Sequence, residues 1–535
     1  MKRRLRGAML PEDPTWGSMN SDPHPAASNE RIPRVVLILL LLAFAWVFFA
    51  SAWLADDAWI TLRTVDQFLA GNGLRFNASE RVQAFTHPLW ALLLVAAGGV
   101  TGEFYVTTLV LSGLCTAGAL ALLVLTIARS AAGAVLGVAV LLGSKAFVDY
   151  SSSGLENPLV HLLLAGFLAL WLAQDGKRLL ALTLVAGAIA TARPDAVLLV
   201  APALAIAAIR RGRDALRPLA VGLVPLAAWT LFSLAYYGFP FPNTAYAKLG
   251  SGAPAASLVS QGLAYLWDGV TRDPVTGLAL VFGCAVPAAL GVRGAGAVVA
   301  GVSLSLAYVV WIGGDFMTGR FLAAPVFCTA ALLTRLPAEH PRTLTAVAVA
   351  VLGISFFGSQ PPLTTGRDYG VGWPAETGNR GIVDERAGYY PFTGWWRVLS
   401  VETNPEQHPW ARQGTTDREH PTPVKVAGPV GLYGFYLGPD KHLVDAFGLV
   451  DPLLARLPIE PDTEWRIGHF PRRLPHGYYE TLVTGRNQIA DPELAALWAD
   501  LALVTRGPLF SQARWGAIVR RNLGLAPQPV DNTLR

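Results

Sequence analysis

Residues 35–55 carry no charged side chain, and the run stops at two adjacent carboxylates, Asp56 and Asp57. A stretch that long and apolar predicts a membrane-crossing helix, because a hydrocarbon core of ~30 Å takes about 20 helical residues. Acids at the mouth of such a helix are costly unless they face water, a partner or a substrate, so the pair marks a candidate site. Runs of the same kind fill most of residues 35–357. The 535-residue chain is 53% hydrophobic and 15% charged, with a mean hydropathy of +0.41. A soluble globule rarely reaches those values, so the expected class is a polytopic α-helical membrane protein. Beyond Gly358 the composition turns to Pro, Gly, Trp and charge.

Other classes fall away on simple grounds. Cys115, Cys284 and Cys328 lie in apolar runs with no paired spacing, which supports neither a disulfide framework nor a zinc site. The formal charge of +5 is dispersed over short loops beside apolar segments, where it reports topology, and nucleic acid is not an expected partner. Residues 1–34 combine Lys2, Arg3, Arg4, Arg6, Arg31 and Arg34 with a Pro/Ser/Asn-rich stretch. That pattern predicts a disordered cytoplasmic tail before a start-transfer helix, not a cleavable signal peptide.

With the tail inside, Asp56 and Asp57 fall outside. The basic clusters Lys177-Arg178, Arg210-Arg211-Gly212-Arg213, Arg293 and residues 335–342 are then cytoplasmic by the positive-inside rule. Four further external turns follow: Ser151-Ser152-Ser153-Gly154-Leu155-Glu156-Asn157, Arg193-Pro194-Asp195, the loop 237–254, and Gly313-Gly314-Asp315-Phe316-Met317-Thr318-Gly319-Arg320. About twelve apolar segments can be counted, of which 87–99 or 131–143 looks too short to span, leaving about eleven crossings. An odd number puts the C-terminal part outside. The expected organisation is a tail over 1–34, a transmembrane catalytic domain over 35–358 with an external loop 56–87, and an extracytoplasmic α+β domain over 359–535. Val424-Lys425-Val426-Ala427, Leu432-Tyr433-Gly434-Phe435 and His442-Leu443-Val444-Asp445-Ala446 suggest strands mixed with helices there.

The chemistry expected of each external group stands beside a plainer alternative. Asp56 and Asp57 can act as a general base toward a hydroxyl or bind a divalent metal, Mg2+ or Mn2+, through oxygen; the alternative is helix N-capping. Arg63, following the pair on an expected helix 58–70, is a candidate substrate-binding residue. Asn77 and His87, in the loop after it that also holds Arg75, Arg81 and Trp90, belong to a mixture of amide, guanidinium and imidazole groups that suits a sugar. A hydrogen-bonded cap for His87 and an interfacial belt position for Trp90 compete. Arg193 can grip a phosphate through its planar fork, or pair internally with Asp195. Asp315 and Arg320 beside Gly313-Gly314 suit an anionic headgroup. Lys248 is a further candidate cation, or a solvated loop lysine. Aromatics of the C-terminal part, Trp395, Trp396, Trp410, Tyr433, Tyr436, Tyr478 and Tyr479, can grip a glycan or form a core. Together these groups fit an enzyme that takes a sugar from a polyprenyl phosphate, whose tail stays in the bilayer.

Several stretches taken together resemble the mycobacterial family of terminal arabinofuranosyltransferases. They are Asp56-Asp57-Ala58-Trp59-Ile60, Gly71-Asn72-Gly73-Leu74-Arg75-Phe76-Asn77, Glu80-Arg81-Val82-Gln83-Ala84-Phe85-Thr86-His87-Pro88-Leu89-Trp90, Ser153-Gly154-Leu155-Glu156-Asn157, Arg193-Pro194-Asp195-Ala196 and the 313–320 loop. Residues 444–458 and Trp465-Arg466-Ile467-Gly468-His469-Phe470 belong to the same resemblance. It implies a GT-C glycosyltransferase fold in the plasma (inner) membrane, with an acidic pair in the first external loop, here Asp56 and Asp57, serving catalysis. It also implies a decaprenyl-phospho-arabinofuranose donor and a β(1→2) cap on cell-wall arabinan. If donor and new bond are both β, configuration is retained, which a single displacement does not give. The routes left are a second carboxylate acting as nucleophile, with Asp56 and Asp57 dividing base and nucleophile roles, or a front-face mechanism with an ion-pair-like transition state. Glu156, on the Ser153–Asn157 stretch, joins the candidate substrate-binding residues. Two alternatives stay open: transfer of another polyprenyl-phosphate sugar, and a non-catalytic scaffold or lipid-linked sugar transporter. A transporter would place charges near the bilayer midplane and show repeated halves.

Overall fold

The computed structural model describes residues 32–173, 178–249, 253–373, 380–460 and 466–525, so nearly all of the expected tail lies outside the described residues. Helices dominate. Arg34–Ser51, Tyr105–Ile127 and Ala295–Ile312 are long and apolar enough to cross a membrane. Pro194–Gly222 and Val224–Tyr236 form a broken pair bent by 45°. Pro225 sits in the first turn of its second half, where a missing N–H costs nothing. Seven shorter apolar helices complete the set, among them Pro88–Thr101, Ala131–Gly143 and Asn157–Ala173. The two alternatives for the one segment expected to be too short are helices of 14 and 13 residues. Ala131–Gly143 is hidden inside the protein, packed on Ala323–Leu333 and Pro341–Ser355.

The first long helix ends at Ser51, and a new one runs from Asp56 to Leu69. Its N-cap is Ala55 with no side-chain cap bond, so neither aspartate caps it; both occupy its first turn. The entry to this helix is pinned to the turn 149–157. Trp53 donates its indole N–H to Asp149 O and Ala55 its N–H to Ser153 O, each at 2.9 Å. Trp90 donates to Gly154 O at 2.9 Å from a fully buried position, which makes it core and not a belt or sugar-facing residue.

The C-terminal part is built on two parallel strands, Val424–Ala427 and His442–Asp445, in the register Val424 to His442. Leu432 to Phe435 are helical, within Leu432–Leu437 between the strands. One buried core joins Phe239 to Val424, Val444, Leu453 and Trp498. Another joins Ile60 and Phe76 of the external loop to Tyr433 and Leu443. The main core of the bundle itself reaches Tyr389, Ala411 and Phe470. The aromatics divide accordingly. Trp395 and Trp396 pack on Phe48, Phe49 and Trp46 of the first helix. Tyr436 packs on Trp59, Tyr478 and Tyr479 belong to the second core, and Tyr433 to the third.

Two residues expected to meet sugar instead clip the external loop to this part. Arg63, 1% exposed, donates to Phe76 O at 3.0 Å, to Lys441 O at 2.8 Å and to Gly434 O. Asn77 pairs with both backbone groups of Leu443 at 3.0 Å. Arg63→Ala strands three carbonyls at ~1–3 kcal/mol each, and the expected result is a clearly lower melting temperature of the detergent-solubilised protein by tryptophan fluorescence. An unchanged melting temperature refutes the clip.

Candidate active site

A cavity of about 470 Å³ opens where the Asp56–Leu69 helix meets the C-terminal part, and Asp56, Asp57, Glu385, Arg466, His469 and Trp410 face it. The first turn of a helix favours negative charge, which helps to hold two acids there. Asp56 accepts from Leu432 N–H at 2.7 Å and Gly431 N–H at 3.2 Å. Gly431 is required for that approach, since a Cβ on it would sit 2.0 Å from the Asp56 carbonyl oxygen. Burial pushes the Asp56 carboxyl up to about 7; the two N–H groups oppose the rise and the charge of Asp57 adds to it. Burial also raises Asp57, while the cations Arg320 and Lys248 favour its charged form.

Below Asp57 lies a chain of ion pairs. Arg320 reaches Asp57 at 3.8 Å, Asp315 at 3.4 Å and Glu156 at 3.6 Å. Glu156, 2% exposed, also meets Arg193 at 3.3 Å and His87 Nδ1 at 3.1 Å. The far side of His87 is fixed by Thr61 Oγ1, 2.9 Å from Nε2. Arg193 holds Asp195 at 3.0 Å and stacks its guanidinium over Phe321 at 4.5 Å. Burial alone would raise the Glu156 carboxyl; Arg320, His87 and Arg193 hold it well below the usual carboxylate range. The loop carrying Asp315 and Arg320 turns on glycines. Gly314 has φ +73° and a Cβ there would lie 2.5 Å from Tyr265 Cβ, so only glycine fits without strain.

The structure thus brings Asp57, His87, Glu156, Arg193, Asp195, Asp315 and Arg320 into one network and sets Asp56 beside it at the cavity wall. Arg63 and Asn77 are spent on backbone and stand off the cavity. Arg193 and Asp195 pair with each other, which is the plainer of the two expectations. Lys248 is exposed, its ammonium beside Gly468. Sequence reasoning passed over Glu385, Arg466 and His469. Arg466 stacks over Phe316 at 4.8 Å and lies 3.2 Å from His469 Nδ1. Burial, with Arg466 and Lys248 nearby, lowers His469 to about 3, so its ring is neutral at ordinary pH. The stretch Arg466-Ile467-Gly468-His469 carried a usable signal, a cation beside a histidine and a turn glycine. Glu385 carried none.

Among the described residues no group of three or more His, Cys, Asp or Glu side chains is placed to hold a metal ion. Asp56 is a poor ligand, since both its oxygens already accept backbone N–H groups.

No family model matches the chain, and no solved structure does. A terminal β-(1→2)-arabinofuranosyltransferase of Mycobacterium tuberculosis is 30% identical over 526 residues, covering 80% of this chain and 82% of that protein. A second protein of that name, from Corynebacterium glutamicum, is 29% identical over 363 residues, and the match spans 58% of this chain and about half, 52%, of that one. A likeness that runs through both the apolar helices and the C-terminal part cannot come from membrane composition alone, and the chain belongs to the terminal β-(1→2)-arabinofuranosyltransferase family of glycosyltransferases.

Proposed function

We propose that the protein moves arabinofuranose from decaprenyl-phospho-arabinofuranose to the ends of cell-wall arabinan, forming a β(1→2) cap. The observation that carries the reading is the cavity in which Asp56 and Asp57 open toward the cation Arg466 at the end of a bundle of apolar helices. The proposal includes a GT-C fold of about eleven spans in the plasma membrane. Residues 35–358 form its catalytic domain, and both the site and a C-terminal α+β domain over 359–535 face away from the cytoplasm. In this arrangement the polyprenyl tail stays in the bilayer while its phosphate and sugar rise into the cavity. The clustering of charge at helix ends, close to the external turns, favours this reading over a transporter with a midplane site.

Roles follow from what each side chain has left to offer. Arg466, with Lys248 beside Gly468, meets the donor phosphate; a guanidinium suits phosphate oxygens in a paired geometry. Trp410 and Tyr389 offer apolar faces to sugar rings across the cavity. Asp57, kept ionisable by Arg320, bonds to the anomeric carbon as the bond to phosphate breaks, and the acceptor hydroxyl then displaces it. Two inversions give net retention, which matches a β donor and a β product. Asp56 orients its neighbour and the Gly431–Leu432 backbone. A divalent cation would be held on the protein side by Asp57 and would supply charge neutralisation to the leaving phosphate, as Mg2+ does with one or two carboxylates. No step here is routed through it.

The test is transfer of labelled arabinose from synthetic polyprenyl-phospho-arabinofuranose to a short arabinan by the purified protein, with linkage read by NMR. Wild type is expected to form the β(1→2) product, and Asp57→Asn to lose at least ~100-fold in kcat while melting like wild type. Folded wild-type protein that transfers nothing from this donor overturns the sugar assignment. Glu156→Gln behaves differently. It leaves Arg193 and Arg320 facing a neutral amide, at a cost of about 3–5 kcal/mol for breaking a buried pair, so melting temperature and kcat are expected to fall together.

A further inference from the structure

Glu385 opens the Glu385–Thr393 helix, and its backbone is stitched to the loop that carries Asp315 and Arg320. Val383 N–H donates to Phe316 O at 2.9 Å, and Thr318 N–H to Val383 O at 3.0 Å. The residues on either side are occupied elsewhere. Asp384 caps the helix by accepting from Ala387 N–H at 3.1 Å and pairs with Lys145 at 3.0 Å. Arg386 points away to Asp149 at 2.7 Å. Glu385 alone is turned into the cavity, 7% exposed, on the same wall space as Asp56 and Asp57. Its carboxyl has no hydrogen bond or ion pair with any described residue. A buried carboxyl left without a partner costs more than it returns to the fold, which points to a partner that arrives with the substrate.

We propose that Glu385 is the acid/base residue of the transfer, giving a proton to the leaving phosphate and then taking one from the acceptor hydroxyl. The inference rests on the two-step reading above. In the first step a carboxylate oxygen of Asp57 bonds to the anomeric carbon and the carbon–oxygen bond to phosphate breaks. Its electron pair goes to the phosphate oxygen, which receives the proton of Glu385. In the second step the acceptor hydroxyl oxygen bonds to that carbon, the bond to Asp57 breaks with its pair returning to the carboxylate, and the hydroxyl proton passes to Glu385. The enzyme returns to its starting state, and the net change is one proton carried from acceptor to polyprenyl phosphate. One carboxyl as nucleophile and a second as acid and then base is the division of labour used by two-step retaining glycosidases.

The surroundings of Glu385 suit a group that starts protonated. Asp57 and Asp56 face it from the Asp56–Leu69 helix, Asp315 from the 313–320 loop, Arg466 and His469 from the segment 466–471, and Tyr389 from its own helix. Burial raises the Glu385 carboxyl well above its ordinary value, the charge of Asp57 adds to this, and Arg466 opposes it. The first step needs the protonated form. The rate is therefore expected to fall as pH rises through the Glu385 pKa, a basic limb that the variant without this carboxyl must lack.

The experiment compares wild type, Glu385→Gln and Glu385→Ala in the transfer assay across pH, with polyprenyl phosphate binding measured alongside. Expected are a kcat at least ~100-fold lower in E385Q, loss of the basic limb, and unchanged binding of polyprenyl phosphate. With an activated arabinofuranosyl donor whose leaving group departs without a proton, azide, a nucleophile that has no proton to give up, is expected to restore turnover in E385A as arabinofuranosyl azide; a purely structural role would produce no such adduct. An E385Q enzyme with wild-type rate and basic limb overturns the inference, as does an E385A enzyme that forms no azide adduct from an activated donor that wild type turns over. Wild-type protein inactive with this donor removes the transfer reading itself, and the inference with it.

Discussion

One buried carboxylate organises the membrane half of the site. Glu156 meets His87, Arg193 and Arg320 at once, and these come from three separate stretches of chain at the ends of apolar helices. Two guanidiniums so close would repel, and each would be costly to withdraw from water unpaired. Glu156 answers both demands, with Asp195 and Asp315 completing the charge balance. The consequence lies at a distance from Glu156 itself. Arg320 is held beneath Asp57, so the ionisation of the outermost acid depends on the position of the innermost one.

The other half of the site is delivered by the C-terminal part, and the two halves are joined by backbone groups more than by side-chain pairs. Arg63 and Asn77 bind main-chain atoms at 434–443, Asp56 binds those of Gly431 and Leu432, and the 313–320 loop bridges to Val383. Buried backbone groups must find partners, and here the external loop supplies them. Glu385, Arg466 and Trp410 are thereby brought to the cavity that Asp56 and Asp57 also line. The cavity exists only because both parts contribute to it.

Much of this was legible in the sequence because membrane helices announce themselves by length and apolar composition, with no need of tertiary information. The same alternation of basic and polar turns gathered Asp57, Glu156, Arg193, Asp315 and Arg320 on one side, where the structure has them in contact. What stayed hidden depends on contacts between distant residues. Arg63 behind the acidic pair and Asn77 in a polar loop look like substrate ligands, yet each has a partner more than 360 residues further on. Trp90 looks interfacial until Gly154 is seen to accept its N–H. Glu385 stands in Asp384-Glu385-Arg386, a short charged run in which nothing distinguishes the middle residue. Only the fold separates them, giving Asp384 a helix to cap and Arg386 an aspartate, and leaving Glu385 to the cavity.

Three carboxyls therefore share one desolvated space, and like charges so placed cannot all ionise freely. Their partners decide which keeps its proton. Among the described residues, Asp56 has two backbone N–H groups and no cation bonded to it, Asp57 has Arg320, and Glu385 has neither. The charged form is thus favoured most directly at Asp57, and the proton at Glu385. That ordering is the one a displacement through a carboxylate nucleophile and a separate proton carrier requires, and it arises from differences in local partners among residues whose intrinsic acidities are nearly the same.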